Sequence, residues 1–254
     1  MTNTQAWLTD SVCVMCATCA FGLGIDKPSV RFVIRYSMPD TIEEMVQEAG
    51  RAGRDGDPCS YKMFFDFKDR AFHINNLCQD QISEEVRLLL FGKLKQLTEL
   101  CFNRNLCRQI LIAKHFGETS LPCAQCDNCI DFNPLVLNTT SEAILVFNAL
   151  FELNQITYNK VTCNELVMTL MGSDSNFIKD KKLNKCSFYG KLESDIIDTK
   201  GKLESLVHGL IIDNYIIEKI NIISKSVNIS TGNIAKIVNG REQYFWIHGV
   251  DPDL

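Results

Sequence analysis

Four of the twelve cysteines in this 254-residue chain are spaced for a metal ion. Cys107, Cys123, Cys126 and Cys129 form a C-x15-C-x2-C-x2-C set. Four thiolates suit a tetrahedral structural zinc site, which leaves no coordination position for water and so argues against a zinc-dependent enzyme. Asp127 and Asn128 between the last two cysteines are turn-forming residues that let close thiols point at one ion. Cys107 is expected near the start of a helix, where the first amides favour a thiolate. Cys13, Cys16 and Cys19 repeat the x2-x2 spacing. They fall, however, on or just beyond a predicted strand at 11–17, where side chains alternate between faces. Cys13 and Cys16 then point oppositely and read as small buried hydrophobes. Cys101 follows a helical pattern and reads as core, while Cys59, Cys78, Cys163 and Cys186 carry no spacing signal.

The second group is Gln47-Glu48-Ala49-Gly50-Arg51-Ala52-Gly53-Arg54-Asp55-Gly56, which joins a helix end to the next strand. Arg51 and Arg54, three apart, are expected on one face of the final helical turn. Guanidinium groups are permanently charged and bind phosphates bidentately, so the pair suits a polyphosphate, although it equally suits an ordinary solvated helix end.

The elements that must position these residues follow from periodicity. Residues 11–17, 31–37 and 60–67 are short apolar runs that predict buried strands. Thr41 to Ala52 has helical spacing, with Asp40 as N-cap and Glu43 completing a capping box. Strands alternating with helices imply an α/β domain with a parallel sheet. Only three strands precede a helical stretch over about 68–117, so this sheet is expected to lack neighbours. A Pro-, Asn- and Asp-bearing connection spans 118–139. Helices follow at 141–153 and 162–171, then a polar, Lys-rich stretch at 173–185, a helix at 199–211 and strand-like runs at 215–223 and 226–238. Three helices and a hairpin in that order predict a winged helix.

Composition sets outer limits. Hydrophobic residues at 46% and charged residues at 22% are ordinary for a folded chain. No run approaches the length of a membrane span, and residues 1–10 lack the basic and apolar regions of a signal peptide, so an intracellular chain with no membrane partner is expected. Cysteines in such a compartment point to metal or packing rather than disulfides. The net charge of −5 gives no support for nucleic-acid binding, leaving that case to the motifs.

The decapeptide resembles motif VI of superfamily 2 helicases in its RecQ form. Ala17-Thr18-Cys19-Ala20-Phe21-Gly22-Leu23-Gly24-Ile25-Asp26-Lys27-Pro28, followed by Val30 to Ile34, resembles that family's motif V. The stretch from Cys107-Arg108 through His115-Phe116-Gly117-Glu118 to Cys129 is similar to the RecQ zinc-binding subdomain. Leu170 to Ser173 and the helix at 199–211 look like the winged helix of the eukaryotic, Bloom-syndrome-type branch. The implied architecture is a partial RecA-like second lobe at 1–75, a helical zinc-binding subdomain at 76–133 and a winged-helix DNA-binding domain at 134–250.

The resemblance implies an ATP-dependent 3′-to-5′ DNA helicase acting in replication, recombination and repair in the nucleus, with repair proteins as partners. Arg51 and Arg54, with Gln47 of the same motif, would face ATP phosphates. Asp26 would face the ribose, unless it only caps the turn before Lys27-Pro28, and Thr18 and Gly24 would belong to the coupling loop. The winged helix would dock DNA at single-strand/duplex junctions through Lys200, Lys202, Lys219 and Lys225, with the hairpin at 215–238 separating strands.

Departures bear on activity. The chain has no G-x-x-x-x-G-K-[ST] and no DEAH-like acidic pair, so ATP and Mg²⁺ are expected only with a further, ATP-binding lobe. Cys19 replaces an aliphatic residue, Arg35 stands where histidine is common, and Gln109 replaces a second arginine. The rival expectation is a non-catalytic, zinc-containing DNA-binding or scaffold module derived from a helicase.

Overall fold

The computed structural model describes residues 3–18, 26–79, 82–130, 135–234, 237, 239–240 and 242–248. The chain divides into two compact units, Met1–Arg70 and Ala71–Leu254.

In the first unit a short helix, α1 (Asn3–Leu8), is followed by β1 (Phe32–Arg35), α2 (Ile42–Ala49) and β2 (Ser60–Met63). The two strands pair in parallel, Phe32 opposite Ser60 through Arg35 opposite Met63, so the α/β expectation holds. Both are shorter than the expected 31–37 and 60–67 runs, and each alternates exposed with half-buried residues rather than being buried throughout. Residues 11–17 form bends and irregular chain, not a strand. Val12 and Val14 are exposed, as are the thiols of Cys13 and Cys16, so their reading as buried hydrophobes is corrected. Cys19 lies outside the described residues. Helix α2 is capped one residue later than expected. Thr41, not Asp40, is the N-cap, accepting from the Glu44 amide at 3.2 Å, while Glu44 Oε2 accepts from the Asp40 amide at 2.8 Å. The Thr41 hydroxyl takes an orphan donor of the first turn, whereas the Glu44 carboxylate closes on the amide that precedes the N-cap, so the expected capping box is replaced by a looser arrangement.

The helical stretch expected over 68–117 is three helices. They are α3 (Phe67–Leu77), which crosses the boundary between units, α4 (Glu84–Phe102) and α5 (Arg108–His115). Buried Arg87 of α4 donates to the carbonyls of Leu77, Gln79 and Ile82, which gives the loop before α4 its hydrogen-bond partners. A one-turn helix, α6 (Asp127–Ile130), ends the cysteine-bearing loop.

The winged-helix core then assembles from α7 (Thr140–Ile156), α8 (Cys163–Leu170), α9 (Asn176–Asp180), a 3-10 turn at Leu183–Lys185, and α10 (Lys200–Ile212). The hairpin β4 (Ile216–Asn221) and β5 (Ser226–Thr231) follows, so the second run stops at Thr231 rather than 238. The Lys-rich stretch at 173–185 is therefore partly helical. Apolar residues at helical spacing on α7 (Ala143, Val146, Phe147, Leu150, Leu153) meet Leu166, Leu170, Leu203, Leu206 and Leu210 in one fully buried core. Val161 and Thr162 pair briefly with the two-stranded hairpin: the Ile229 amide donates to Val161 O at 2.8 Å, and Thr162 forms an isolated bridge to Asn228. Thr162 also caps α8 in a full capping box with Glu165, whose side chain is 1% exposed and is ion-paired to Lys181. At +68° the φ of Gly172 excludes most side chains, and a Cβ there would sit 3.0 Å from Gly190 Cα. An antiparallel pair absent from the sequence expectations, β3 (Leu135–Asn138) with β6 (Phe245–His248), closes the unit. No helix among the described residues is long and apolar enough to cross a membrane.

Candidate functional site

The cysteine cluster is built from two helices and the loop that joins them. Cys107 is the N-cap of α5, near the helix start as the sequence implied, while Cys126 immediately precedes α6 and Cys129 lies within its single turn. Cys123 approaches from the loop between them. The four sulfurs lie within 4.8 Å of one another, with Cys107 Sγ 3.5 Å from Cys123 Sγ and 3.8 Å from Cys126 Sγ. A tetrahedron of thiolates about zinc needs S···S separations of about 3.8 Å, so the donor set fits that ion.

Backbone amides aim at these sulfurs: Cys123 N to Cys107 Sγ at 3.2 Å, Cys126 N to Cys123 Sγ at 3.3 Å and Arg108 N to Cys126 Sγ at 3.4 Å. Burial raises the Cys107 thiol, but hydrogen bonds led by the Cys123 and Ile110 amides outweigh it and bring the pKa down to about 6. Burial and hydrogen bonds with the neighbouring thiols push Cys129 up to about 12.

A second layer clamps the loops that carry the thiols. Asn128 is 6% exposed and donates from Nδ2 to Asn103 O and Leu106 O, both at 2.7 Å. Asn103 Oδ1 accepts in turn from the amides of Asn105 and Leu106, so the turn before Cys107 is tied to the one carrying Cys126 and Cys129. Arg108 grips Asp127 bidentately, Nε to Oδ1 at 2.9 Å and Nη2 to Oδ2 at 2.8 Å, and reaches the Leu100 carbonyl at the end of α4. The Arg108 guanidinium, with Arg104 beyond it, holds the Asp127 carboxyl below its ordinary value. Asn128 and Asp127 were read from sequence only as turn formers; their clamping roles depend on partners about 20 residues away.

The arginine-bearing segment is a turn beyond α2. The helix ends at Ala49, so Arg51 and Arg54 do not share a final helical turn as expected. Gly53 has φ +65°, and a Cβ there would strike Cys59 Sγ at 2.6 Å. Only glycine fits, and its amide donates to Val30 O at 2.9 Å, which fastens the turn to the chain entering β1. The structure brings Arg54 and Asp26 together: Nη1 lies 2.8 Å from Oδ1, with the two side chains 41% and 76% exposed. Arg31 pairs with Asp55 beside them. Arg51 is half-buried, Gln47 lies on α2, and Thr18 is exposed in irregular chain. Gly24 lies outside the described residues.

Among the lysines expected at DNA, Lys200 pairs with Glu204 at 3.4 Å and Lys202 with Asp198 at 2.8 Å, so both meet carboxylates at the start of α10. Lys219 is exposed on β4, and Lys225 is exposed in the hairpin turn with φ +48°. Sequence reading missed Ile223, 98% exposed at the hairpin tip, and the exposed Lys182 and Lys185 around the 3-10 turn. The Lys-rich composition at 173–185 was the available signal for the lysines, whereas an isoleucine in a strand-like run reads as core.

Comparison with known proteins accounts for this order of parts. Residues 3–56 match the helicase conserved C-terminal domain, 66–130 the RecQ zinc-binding domain and 133–246 the RQC domain. The chain is 40% identical over 114 residues to the RecQ-like DNA helicase blm-1 of Caenorhabditis elegans, covering 45% of this chain and 12% of that protein. It is 40% identical over 129 residues to the ATP-dependent helicase SGS1 of Saccharomyces cerevisiae, covering 49% and 9%. To the ATP-dependent DNA helicase RecQ of Bacillus subtilis it is 31% identical over 213 residues, covering 84% and 34%. The chain thus spans about a third or less of each of these relatives. With a parallel α/β segment, a four-thiol cluster and a winged helix in the order of the three matched domains, the chain belongs to the RecQ family of DNA helicases, as its C-terminal region.

Proposed function

We propose that this chain forms the back part of an ATP-dependent 3′-to-5′ DNA helicase, with divisions near residues 75 and 133. The juxtaposition that carries the reading is Arg54 against Asp26, which joins the two helicase-like segments of the first unit at one exposed point. ATP held by a second lobe presents phosphates to Arg51 and Arg54, with Gln47 beside them, and its ribose to Asp26. Arg54 is partly exposed and its ion pair is solvent-accessible, so a phosphate oxygen displaces the carboxylate at little cost. The freed guanidinium stabilises charge on the transferring phosphoryl group, an effect on the order of 10³–10⁵ in rate for arginine fingers. Thr18 and Gly24 belong to the loop that couples this state to DNA.

Cys107, Cys123, Cys126 and Cys129 hold one structural zinc, which neutralises the thiolates and fixes the loops between α4, α5 and α6. The winged helix docks DNA at junctions of single and double strand. Lys219, Lys225, Lys182 and Lys185 are the stronger phosphate contacts, because Lys200 and Lys202 must first leave Glu204 and Asp198. The hairpin drives Ile223 against the last base pair. The setting is DNA replication, recombination and repair in the nucleus, with repair proteins as partners.

The 254-residue chain by itself binds junction DNA with steep salt dependence and does not hydrolyse ATP, because it contains neither a phosphate-cradling loop nor an acidic pair for Mg²⁺. Fusion to a RecQ ATP-binding lobe restores DNA-stimulated hydrolysis. Turnover by the purified chain alone, or none by a folded fusion that binds both ATP and DNA, refutes the reading. The second result favours a DNA-binding scaffold.

A further inference from the structure

The arginine-bearing turn is anchored at two places, and one of them is a side chain with no part in the function proposed above. Arg35, the last residue of β1, is 18% exposed and turns its guanidinium onto α2. Its Nη1 lies 2.6 Å from Oε1 of Glu48, which is 13% exposed, and 3.6 Å from Oε1 of Glu44. Glu44 and Glu48 stand four residues apart on one helix face, where two carboxylates repel unless a cation lies between them. The Arg35 Nε donates to Ser37 O at 3.1 Å, which fixes the guanidinium, and Tyr61 of β2 donates to the other oxygen of Glu48 at 3.4 Å. Glu48 is the penultimate residue of α2, and its carbonyl accepts the Arg51 amide at 3.2 Å. The chain then runs through Ala52 to the second anchor, Gly53 on Val30 O.

We propose that Arg35 is a positioning residue for the Arg51–Arg54 turn: by clamping Glu48 to β1 it fixes where α2 stops and the turn begins. The reasoning is electrostatic. A largely buried pair loses more than its own attraction when one partner is removed, because the remaining carboxylate is left uncompensated. Here two carboxylates are stranded, and Glu48 lies in the last turn, where fraying has no later helix to oppose it. The first turn of α2 keeps the Thr41 hydroxyl on the Glu44 amide and has only the longer, 3.6 Å contact of Glu44 with Arg35, so it loses less than the last turn does. The importance of the turn for catalysis rests on the nucleotide reading proposed above, whereas the clamp itself can be tested without it.

Amide hydrogen exchange on the full 254-residue chain makes that test, using wild type, Arg35→Gln and Arg35→Lys. The clamp predicts that Arg35→Gln speeds exchange of the Gly50, Arg51, Ala52 and Gly53 amides by roughly tenfold or more, from loss of a largely buried ion pair. The Met45 amide, bonded to Thr41 O, changes by less than about threefold, and Arg35→Lys restores most of the protection because it returns the cation. Acceleration spread evenly from 43 to 60 means Arg35 is merely structural and overturns the proposal. So does unchanged exchange at 50–53, or a lysine variant as open as the glutamine one. In a fusion with an ATP-binding lobe, Arg35→Gln should lower kcat at unchanged KM. A loosened turn with unaltered turnover would instead overturn the nucleotide role of the turn and leave the clamp standing.

Discussion

Asn128 gives the sharpest test of how the zinc-binding loops are held. Its carboxamide is buried, and both of its bonds, to Asn103 O and Leu106 O, are short at 2.7 Å. Replacing it with alanine removes two hydrogen bonds worth about 0.5–1.5 kcal/mol each, and it leaves two carbonyls to find water. Those carbonyls belong to a turn whose residues are half-buried or exposed, so rehydration recovers part of the loss and the net cost is about 2 kcal/mol. Coupled to metal binding this is about thirtyfold in zinc dissociation constant, within the roughly 10–100-fold range for partners behind metal ligands. Asn128→Asp should be worse than alanine, because it puts acceptors where both carbonyls need donors. The assay is competition for zinc with a chromogenic chelator, run beside thermal unfolding. An Asn128→Ala protein with zinc affinity within twofold of wild type and an unshifted transition refutes the clamp.

Cys126→Ala should lose stoichiometric zinc by metal analysis, and with it the thermal transition of the 100–132 region, since structural zinc can contribute on the order of 10 kcal/mol to such a site. The Asp55 carboxyl, held down chiefly by its hydrogen bond from Arg31, should titrate below 3.8 by NMR, and Arg31→Gln should return it to the ordinary value. Because the folded pKa is lowered, the stabilisation from this pair is present above about 3.8 and is lost as pH falls through the lowered value, so wild type and Arg31→Gln should converge in acid. Residues 134–250 should give dispersed amide spectra by themselves, because among the described residues the winged-helix core is built within 137–244. Residues 1–75 alone should be poorly soluble, with Phe32, Ile34, Tyr36 and Phe64 exposed around two paired strands; a sharp spectrum from that segment contradicts this.

What was legible in the sequence was local. The four-cysteine set, the helices α7, α8 and α10 and the parallel order of β1 and β2 follow from local spacing, whereas α9 lies in a stretch read only as polar and Lys-rich. Residues 11–17 failed because a short apolar run has no periodicity to separate a strand from irregular chain, and Val12 and Val14 are exposed and join no strand among the described residues. The N-cap slipped by one because Asp40 and Thr41 are both competent caps, and only the reach of a hydroxyl to the Glu44 amide decides between them. The β3–β6 pair was invisible for a different reason: each strand has four residues, and the partners are separated by more than 100 positions. Long-range contacts of this kind also hid the Asp26–Arg54 pair and the clamp of Asn128 on the turn before Cys107.

The central claim, that the turn after α2 acts on nucleotide held by another lobe, is tested most directly by Arg54→Ala in a fusion of this chain with a RecQ ATP-binding lobe. DNA-stimulated kcat should fall by on the order of 10³ or more. DNA affinity and zinc content should stay at wild-type values, since the lysines and cysteines are untouched. Turnover within about tenfold of the unmutated fusion, with the protein folded and DNA-bound, would contradict the assignment.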